Sequence, residues 1–336
     1  MNSKSKIFSS NISRWYIKNG RKNLPWRNKI TPYRIWISEI MLQQTQVKTA
    51  IPYFKKFISK YPNLKSLSHA KEEDIMALWS GLGFYRRAKN IFKTKEIIKD
   101  QYNNILPKTF DQLIQLPGIG KSTAGAIMSI AYEVPTPILD ANVKRVIARY
   151  NEIDLQKKSS LKDLWSFSKI YTPSNKIFEY TQGIMDLGAT ICTTKDPNCL
   201  QCPLNEICAS SYSVEAPKKI SKVVKIKPVR ELDFTLAYTN KHILLFKRNQ
   251  ETFWEGLWLP SEDPKSHNIY NSKSIKQHNV NVHHKLTHLD LNLNISLLSY
   301  NNIFKVKTNA EHCWIKKTQI DSFGMPAPIK KIISTL

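Results

Sequence analysis

The chain has 336 residues, 41% of them hydrophobic, and a formal charge of +25 from 51 Lys and Arg against 26 Asp and Glu. That length exceeds one ordinary helical domain and suits two, and ten glycines leave little room for long flexible linkers. The charge makes a polyanion the default partner, nucleic acid ahead of an anionic membrane, although a Lys- and Asn-rich composition also coats every surface with lysine.

Met1 to Gly20 is broken by serines and lysines, so no charged-then-apolar leader is expected. No run of 18 apolar residues exists to span a bilayer, so a cytoplasmic protein with no membrane partner is expected. Beyond this segment, Ile37, Ile40, Met41, Val47 and Ile51 fall on one helical stripe, with Pro52 placed to start a further helix. Glu39 lies opposite that stripe, with Gln43 and Gln46 beside it. Gly81-Leu82-Gly83 separates two helical stretches and Pro117-Gly118-Ile119-Gly120 two more, so the first two thirds read as mostly α.

The run Leu113 to Lys121 reads as helix, tight glycine turn and a helix beginning again with its N-terminus open. Gly118 and Gly120 let a phosphate approach the backbone N–H groups, and the helix dipole with Lys121 favours its charge. A plain helical hairpin has the same pattern. Asp140 follows in Pro137-Ile-Leu-Asp-Ala-Asn-Val, and it stands, like Glu39, where an ordinary surface acid is not expected. Taken singly, either acid also fits a helix cap or a solvated charge.

Four of the five cysteines, Cys192, Cys199, Cys202 and Cys208, crowd into 17 residues, close enough to wrap one metal centre. In a reducing compartment this argues for ligation over disulfides, and the spacing fits four sulfurs around zinc as well as around a [4Fe-4S] cube. Cys313 is left over as a buried thiol, and Lys195 lies on the loop that such a centre would stiffen, facing phosphate. Residues 213–230 are basic, contain proline and show no helical stripe, as a linker would. After them, 232–238 and 242–246 flank the turn-like Thr239-Asn240, and 289–298 alternates through Leu291, Leu293 and Ile295, so the last third reads as strand-rich.

Taken together, LPWR (24–27), SEIMLQQTQ (38–46), GLGFYRRAKN (81–90), LPGIGKSTAGAI (116–127), LDANVKRV (139–146) and the cysteine array resemble the MutY-type adenine DNA glycosylases of the helix-hairpin-helix superfamily. The resemblance is close from Leu24 to Cys208 and patchy beyond. It implies an α+β multidomain protein. A mostly α helix-hairpin-helix glycosylase domain with a [4Fe-4S] loop would occupy 1–212, and a C-terminal α/β Nudix-like domain 231–336, joined by the linker 213–230. Within the first, a six-helix module of about 25–133 would face a cluster module built from 1–24 and 134–212, with duplex DNA across the cleft. The implied reaction is hydrolysis of the N-glycosidic bond of adenine mispaired with 8-oxo-guanine or guanine, by a monomer acting in base excision repair.

Carried over residue by residue, the resemblance makes Glu39 the acid that protonates adenine and Asp140 the ionised partner of an oxocarbenium-like sugar, as in glycoside hydrolysis. Opposite protonation states imply a drier pocket for Glu39 than for Asp140. Ser122 stands where relatives resembling endonuclease III carry a Schiff-base lysine; serine cannot form that imine, so lyase chemistry on oxidised pyrimidines is disfavoured and Ser122 itself is at most an auxiliary catalytic residue. The intact Glu39–Asp140 pair speaks against a binding protein that has lost catalysis. Gln44 and Phe84 match positions inserted into DNA when a base is flipped, Phe84 replacing the usual tyrosine. Leu24, Trp26, Arg27 and Gln182 match the adenine-pocket surroundings, and Asn142 a residue beside the catalytic aspartate, although packing alone would also account for each. Leu286, Thr287 and His288 match the 8-oxo-guanine reader, where the family often has Phe-Ser-His. A run of glutamates suited to Nudix hydrolysis is absent after Pro260.

Overall fold

A computed structural model of the chain describes residues 3–212, 227–249 and 253–336. Most of the expected linker therefore lies outside the described residues. Its last two positions, Val229 and Arg230, already belong to a strand, so the described sheet begins two residues before the expected 231 boundary. The chain divides into two compact units, Met1–His69 with Lys93–Val224 and Ala70–Phe92 with Lys225–Leu336.

The first unit is helical. It contains α1 (Ser3–Asn19), α2 (Pro32–Leu42), α3 (Val47–Lys60) and the single turn α4 (Leu64–Leu67). The second unit receives α5 (Glu72–Trp79), and α6 (Arg86–Tyr102) crosses the division between units. The first unit resumes with α7 (Phe110–Ile114), α8 (Lys121–Ala131), α9 (Ala141–Tyr150), α10 (Ser160–Tyr171) and α11 (Ile177–Thr190). Thr31 caps α2 by accepting from the Arg34 N–H, ahead of Pro32 at the first helical position, which lacks an N–H to satisfy. Pro52 lies inside α3 rather than starting a helix. The break comes earlier, at Gln43 and Gln44, where Gln44 takes φ +55° and α2 cannot continue.

The core around α1 is aromatic. Phe8 stacks on Tyr171 at 4.2 Å and meets Tyr150 edge-on at 4.6 Å, contacts worth about 0.5–1.5 kcal/mol each beyond area burial. Gly183 lets α11 close onto α1, because a Cβ there would stand 2.9 Å from the Ile12 side chain. Glu39 does not occupy a solvated face of α2. Tyr33, Ile35, Trp36, Ile37, Ser38, Ile40 and Met41 are all buried around it, so this helix is enclosed on nearly every side.

The second unit holds β1 (Val229–Tyr238), β2 (His242–Lys247), β3 (Trp258–Leu259), β4 (Lys276–Lys285), β5 (Asp290–Ser299), β6 (His312–Lys316) and α12 (Ala327–Ile333). The sheet is mixed, in order β3-β2-β1-β5-β4 with β6 also on β2, and its one parallel pair is β1 with β5. Alternation along β5 buries Leu291, Leu293, Ile295 and Leu297, as its sequence pattern requires. Cys313, expected as a buried thiol, is half-buried on β6. In the same unit, Ser80 and Tyr85 both donate to the Met325 carbonyl, at 2.9 and 2.8 Å, and Lys89 pairs with Glu255 at 2.7 Å.

Candidate active site

In the first unit, α7 and α8 flank the turn Pro117-Gly118-Ile119-Gly120. Gly118 takes φ +81°, a conformation open to glycine at little cost, and Thr94 fixes the Pro117 carbonyl at 2.9 Å. Gly120 is the N-cap of α8 and supplies no side-chain acceptor, and open space surrounds the position of its absent Cβ. The first N–H groups of α8 and the exposed Lys121 thus form an anion-seeking helix end. Gln43 reaches back from the end of α2 to the Gly118 carbonyl and the Thr123 hydroxyl, over long contacts of 3.4 and 3.5 Å.

Two carboxylates are coupled beside this hairpin. Burial first, and the charge of Asp140 second, push Glu39 up to about 8, with Arg27 opposing. Asp140 is the N-cap of α9, its Oδ1 accepting from the Val143 N–H at 2.7 Å. Burial pushes Asp140 upward as well, against the N–H groups of Val143 and Asn142, the Arg145 charge and the Asn142 side chain. Both acids are partly reached by solvent. They differ in donors: Asp140 holds a helix N-terminus and Glu39 does not.

Arg27, expected near the substrate, is tied to Asp186, its Nη1 2.7 Å from Oδ2 and its Nη2 3.0 Å from Oδ1. Arg21 grips the same carboxylate at 2.6 Å. Burial would raise the Asp186 carboxyl, but the two arginines overcome it and hold the group below its ordinary value. Asp186 was missed in the sequence, although a lone acid inside Gly183-Ile-Met-Asp-Leu-Gly188 is the signal of a buried charge awaiting a partner. Trp26 is 4% exposed and packs edge-on against Phe54 at 5.4 Å, Leu24 is half-buried, and Gln182 is 2% exposed on α11. Asn142 accepts from Arg145 at 2.9 Å while bonding Asp140, which places it beside that acid as expected. Gly188 allows this approach, because a Cβ there would lie 2.7 Å from the Asn142 Cβ.

Ser122 Oγ accepts from the Leu139 N–H at 3.0 Å, one residue before Asp140. Gln44 in the first unit and Phe84 in the second are both exposed and both in the left-handed region, at φ +55° and +49°. For side chains other than glycine such backbone costs about 1–3 kcal/mol and persists only where its surroundings enforce it. At Phe84 the enforcement comes from Arg87, which donates to the Gly83 carbonyl at 2.9 Å and stacks over the Phe84 and Trp79 rings.

Cys192, Cys199, Cys202 and Cys208 line a single cavity of about 420 Å³, with the exposed Lys195 on its rim. None forms a disulfide. Among the described residues no three His, Cys, Asp or Glu side chains close on one point to cage an ion; the four sulfurs ring the cavity instead. Burial first, then the other three cysteines, push Cys202 up to about 12. Arg149 faces the ring, 3.3 Å from the Cys192 sulfur, and ties the Thr193 carbonyl at 2.6 Å. In the second unit, Leu286, Thr287 and His288 form the tip of the β4–β5 hairpin, Leu286 half-buried and the other two exposed. The Leu286 N–H closes the turn on the Leu289 carbonyl at 2.9 Å.

Residues 37–169 match the family model described as HhH-GPD superfamily base excision DNA repair protein, and 234–335 match the NUDIX domain. The adenine DNA glycosylase of Buchnera aphidicola subsp. Acyrthosiphon pisum is 40% identical over 338 residues, 97% of each chain. That of Homo sapiens is 36% identical over 219 residues, covering 62% of this chain and 42% of the human one. Among solved structures, a thermostable thymine-DNA glycosylase superposes with a TM-score of 0.57 at 28% identity, over 62% of this chain and 97% of that one. A non-covalent endonuclease III–DNA complex shares the fold, with a TM-score of 0.53 at 24% identity over 63% and 97%.

Proposed function

Since the chain belongs to the adenine DNA glycosylase family and is an enzyme of base excision repair, we propose that it removes adenine paired with 8-oxo-guanine or guanine, using Glu39 and Asp140. The observation that carries this reading is the coupled pair itself: Glu39 holds its proton to about pH 8 beside an Asp140 anchored at a helix N-terminus. A neutral carboxyl at pH 7 is a general acid, and a carboxylate supplied with N–H donors is a stable anion.

The bond between C1′ and the adenine nitrogen breaks with both electrons going to the base, and the Glu39 proton goes to the base. The sugar left behind is positive, and the Asp140 carboxylate lies opposite that charge. Water then adds to C1′ and returns a proton to Glu39. The products are free adenine and an abasic site. Serine at 122 supplies no amine for an imine, so the strand stays intact.

Duplex DNA is the substrate, and the open end of α8 with Gly118, Gly120 and Lys121 suits a phosphate of its backbone. Gln44 and Phe84, each exposed and held in strained backbone, each suit insertion into a DNA stack. Leu24, Trp26 and Gln182 surround the adenine, with Arg27 tuning Glu39 from its bond to Asp186. Leu286, Thr287 and His288 at the β4–β5 tip suit contact with the opposing 8-oxo-guanine. The enzyme works as a monomer.

The four cysteines, together on one cavity, suit the thiolate ligands of a [4Fe-4S] cluster. When bound, the cluster would stiffen residues 192–208 and take no part in hydrolysis. Arg145 and Arg149, which hold the carbonyls of Cys192 and Thr193, keep that loop on α9, the helix capped by Asp140.

The test is single-turnover excision from duplexes carrying adenine opposite 8-oxo-guanine, adenine opposite guanine, or an oxidised pyrimidine, with and without alkali. Breaks that require alkali and form fastest opposite 8-oxo-guanine are expected. Excision at one rate opposite both purines would overturn lesion reading, and breaks without alkali would overturn the hydrolytic assignment.

A further inference from the structure

Asp140 is fixed on its C-terminal side by its own helix. Its N-terminal side, residues 136–139, lies in no helix or strand, yet Thr136, Ile138 and Leu139 are each held by a serine hydroxyl and Pro137 packs closely on α8. One face of α8 carries Ser122, Gly125 and Ser129, which at spacings of three and four lie in line. Ser129 Oγ donates to the Thr136 carbonyl at 2.8 Å and accepts from the Thr136 N–H at 3.3 Å. A Cβ on Gly125 would collide with the Pro137 carbonyl oxygen. Ser122 Oγ accepts from the Leu139 N–H at 3.0 Å. From the opposite side Ser168 of α10, 2% exposed, donates to the Ile138 carbonyl at 2.7 Å.

The last two contacts fall on one peptide unit, because the Ile138 carbonyl and the Leu139 N–H are its two ends. A plane held at both ends by hydroxyls from two helices cannot rotate, and the next unit along leads into the Asp140 Cα. We propose that Ser168 and Ser122 are positioning residues for Asp140, clamping the Ile138–Leu139 peptide from α10 and α8, with Gly125 setting how closely α8 approaches. The inference rests on Asp140 being catalytic. Displacements near 1 Å in a catalytic group cost up to about 100-fold in rate, which is the scale on which such a clamp matters.

The experiment compares Ser122→Ala, Ser168→Ala and the double variant, each as the full-length protein with its metal centre. Single-turnover excision of adenine opposite 8-oxo-guanine is measured, together with the Kd for the same duplex carrying an uncleavable adenosine analogue. Each single variant is expected to excise about 10- to 100-fold more slowly with a Kd within about twofold of the parent. The double should be no more than about threefold slower than the worse single, because the plane is already free once either grip is lost. Ser122→Thr, which restores the hydroxyl, should recover most of the rate. Ser9→Ala, which removes a buried hydroxyl bonded only within α1, should leave it unchanged.

Losses that multiply in the double, or a Kd that rises as far as the rate falls, would overturn the clamp. So would unchanged rates in both singles. If Ser168→Ala does not fold, the half-buried Ser122 decides through its alanine and threonine variants, and Gly125→Ala, which pushes α8 off Pro137, should slow excision likewise. Asp140→Asn separates the two levels. Full activity there removes the underlying assignment, whereas an inactive Asp140→Asn beside fully active serine variants removes the clamp alone.

Discussion

Replacing Glu39 with glutamine should stabilise the folded protein, and only at neutral to alkaline pH. In the folded chain burial, then the Asp140 charge, holds the Glu39 proton to about pH 8, whereas an ordinary glutamate releases it near 4.5. Between those values the folded state keeps a proton that the unfolded state has lost. Stability from this site is thus fully present below pH 4.5, falls by at most ~1.4 kcal/mol per pH unit as pH rises, and levels off above pH 8. The full interval corresponds to roughly 5 kcal/mol, and partial solvent access to Glu39 reduces it to about 2–3 kcal/mol. Glutamine keeps the shape and carries no charge, so Glu39→Gln should gain about 2–3 kcal/mol over the parent at pH 8.5 and almost nothing at pH 5. In a chain of 336 residues, at about 2.1 cal/mol/K of unfolding entropy per residue, that is a rise in melting midpoint of about 3–4 °C. Anaerobic thermal melting of both proteins, followed by the helical circular dichroism signal, measures it. A difference between variant and parent that is equal at pH 5 and pH 8.5 would refute the reasoning, because an uncharged packing effect has no pH dependence.

On the proposed mechanism the same proton sets the rate. Single-turnover excision should stay level to about pH 7 and fall roughly tenfold per pH unit above 8; a profile flat to pH 9.5 would remove Glu39 as the acid. Asp186→Asn leaves Arg27, with its side chain 5% exposed, without its carboxylate and should cost about 3–5 kcal/mol at pH 7. Because the arginines hold Asp186 below its ordinary value, its contribution is present at neutral pH and lost on acidification, so the gap in melting midpoint should narrow toward pH 3; a gap of constant size would refute the ion-pair account. Cys199→Ser should drop bound iron well below the about four atoms expected per chain of a [4Fe-4S] protein, by colorimetric iron assay. Stoichiometric zinc in the parent would replace the cluster by a zinc knot.

Helix and strand content were legible because periodicity reports burial: Leu291, Leu293 and Ile295 alternate along β5 as their spacing demands. The glycine turn was legible for the same local reason, since Gly118 at φ +81° leaves few other residues. What depends on contacts distant in sequence was not. Pro52 pointed to a helix start, yet a proline in the second turn loses only one hydrogen bond, and the strained Gln44 sets the break instead. Ser168 carries no local signal; its importance comes from an Ile138 carbonyl 30 residues away. Asp186 was legible in principle, because an acid inside the apolar stretch 183–188 must find a partner, but the sequence did not identify Arg21 and Arg27 as the two that meet it.

Burial pushes both site carboxylates upward, but the two meet different donors. Glu39 is raised chiefly by burial on an α2 enclosed on nearly every side, although solvent still reaches it in part. Asp140 sits under comparable burial and so needs donors aimed at it, which only a helix N-terminus entered at the right angle provides. A carboxylate one bond rotation out of place would lose the Val143 N–H, one of the donors that oppose its upward shift, and Glu39 feels the charge of that same group. The two carboxylates are therefore one device. Its tolerance is set by the backbone entering α9, where Ser122, Gly125, Ser129 and Ser168 hold residues that regular secondary structure leaves alone.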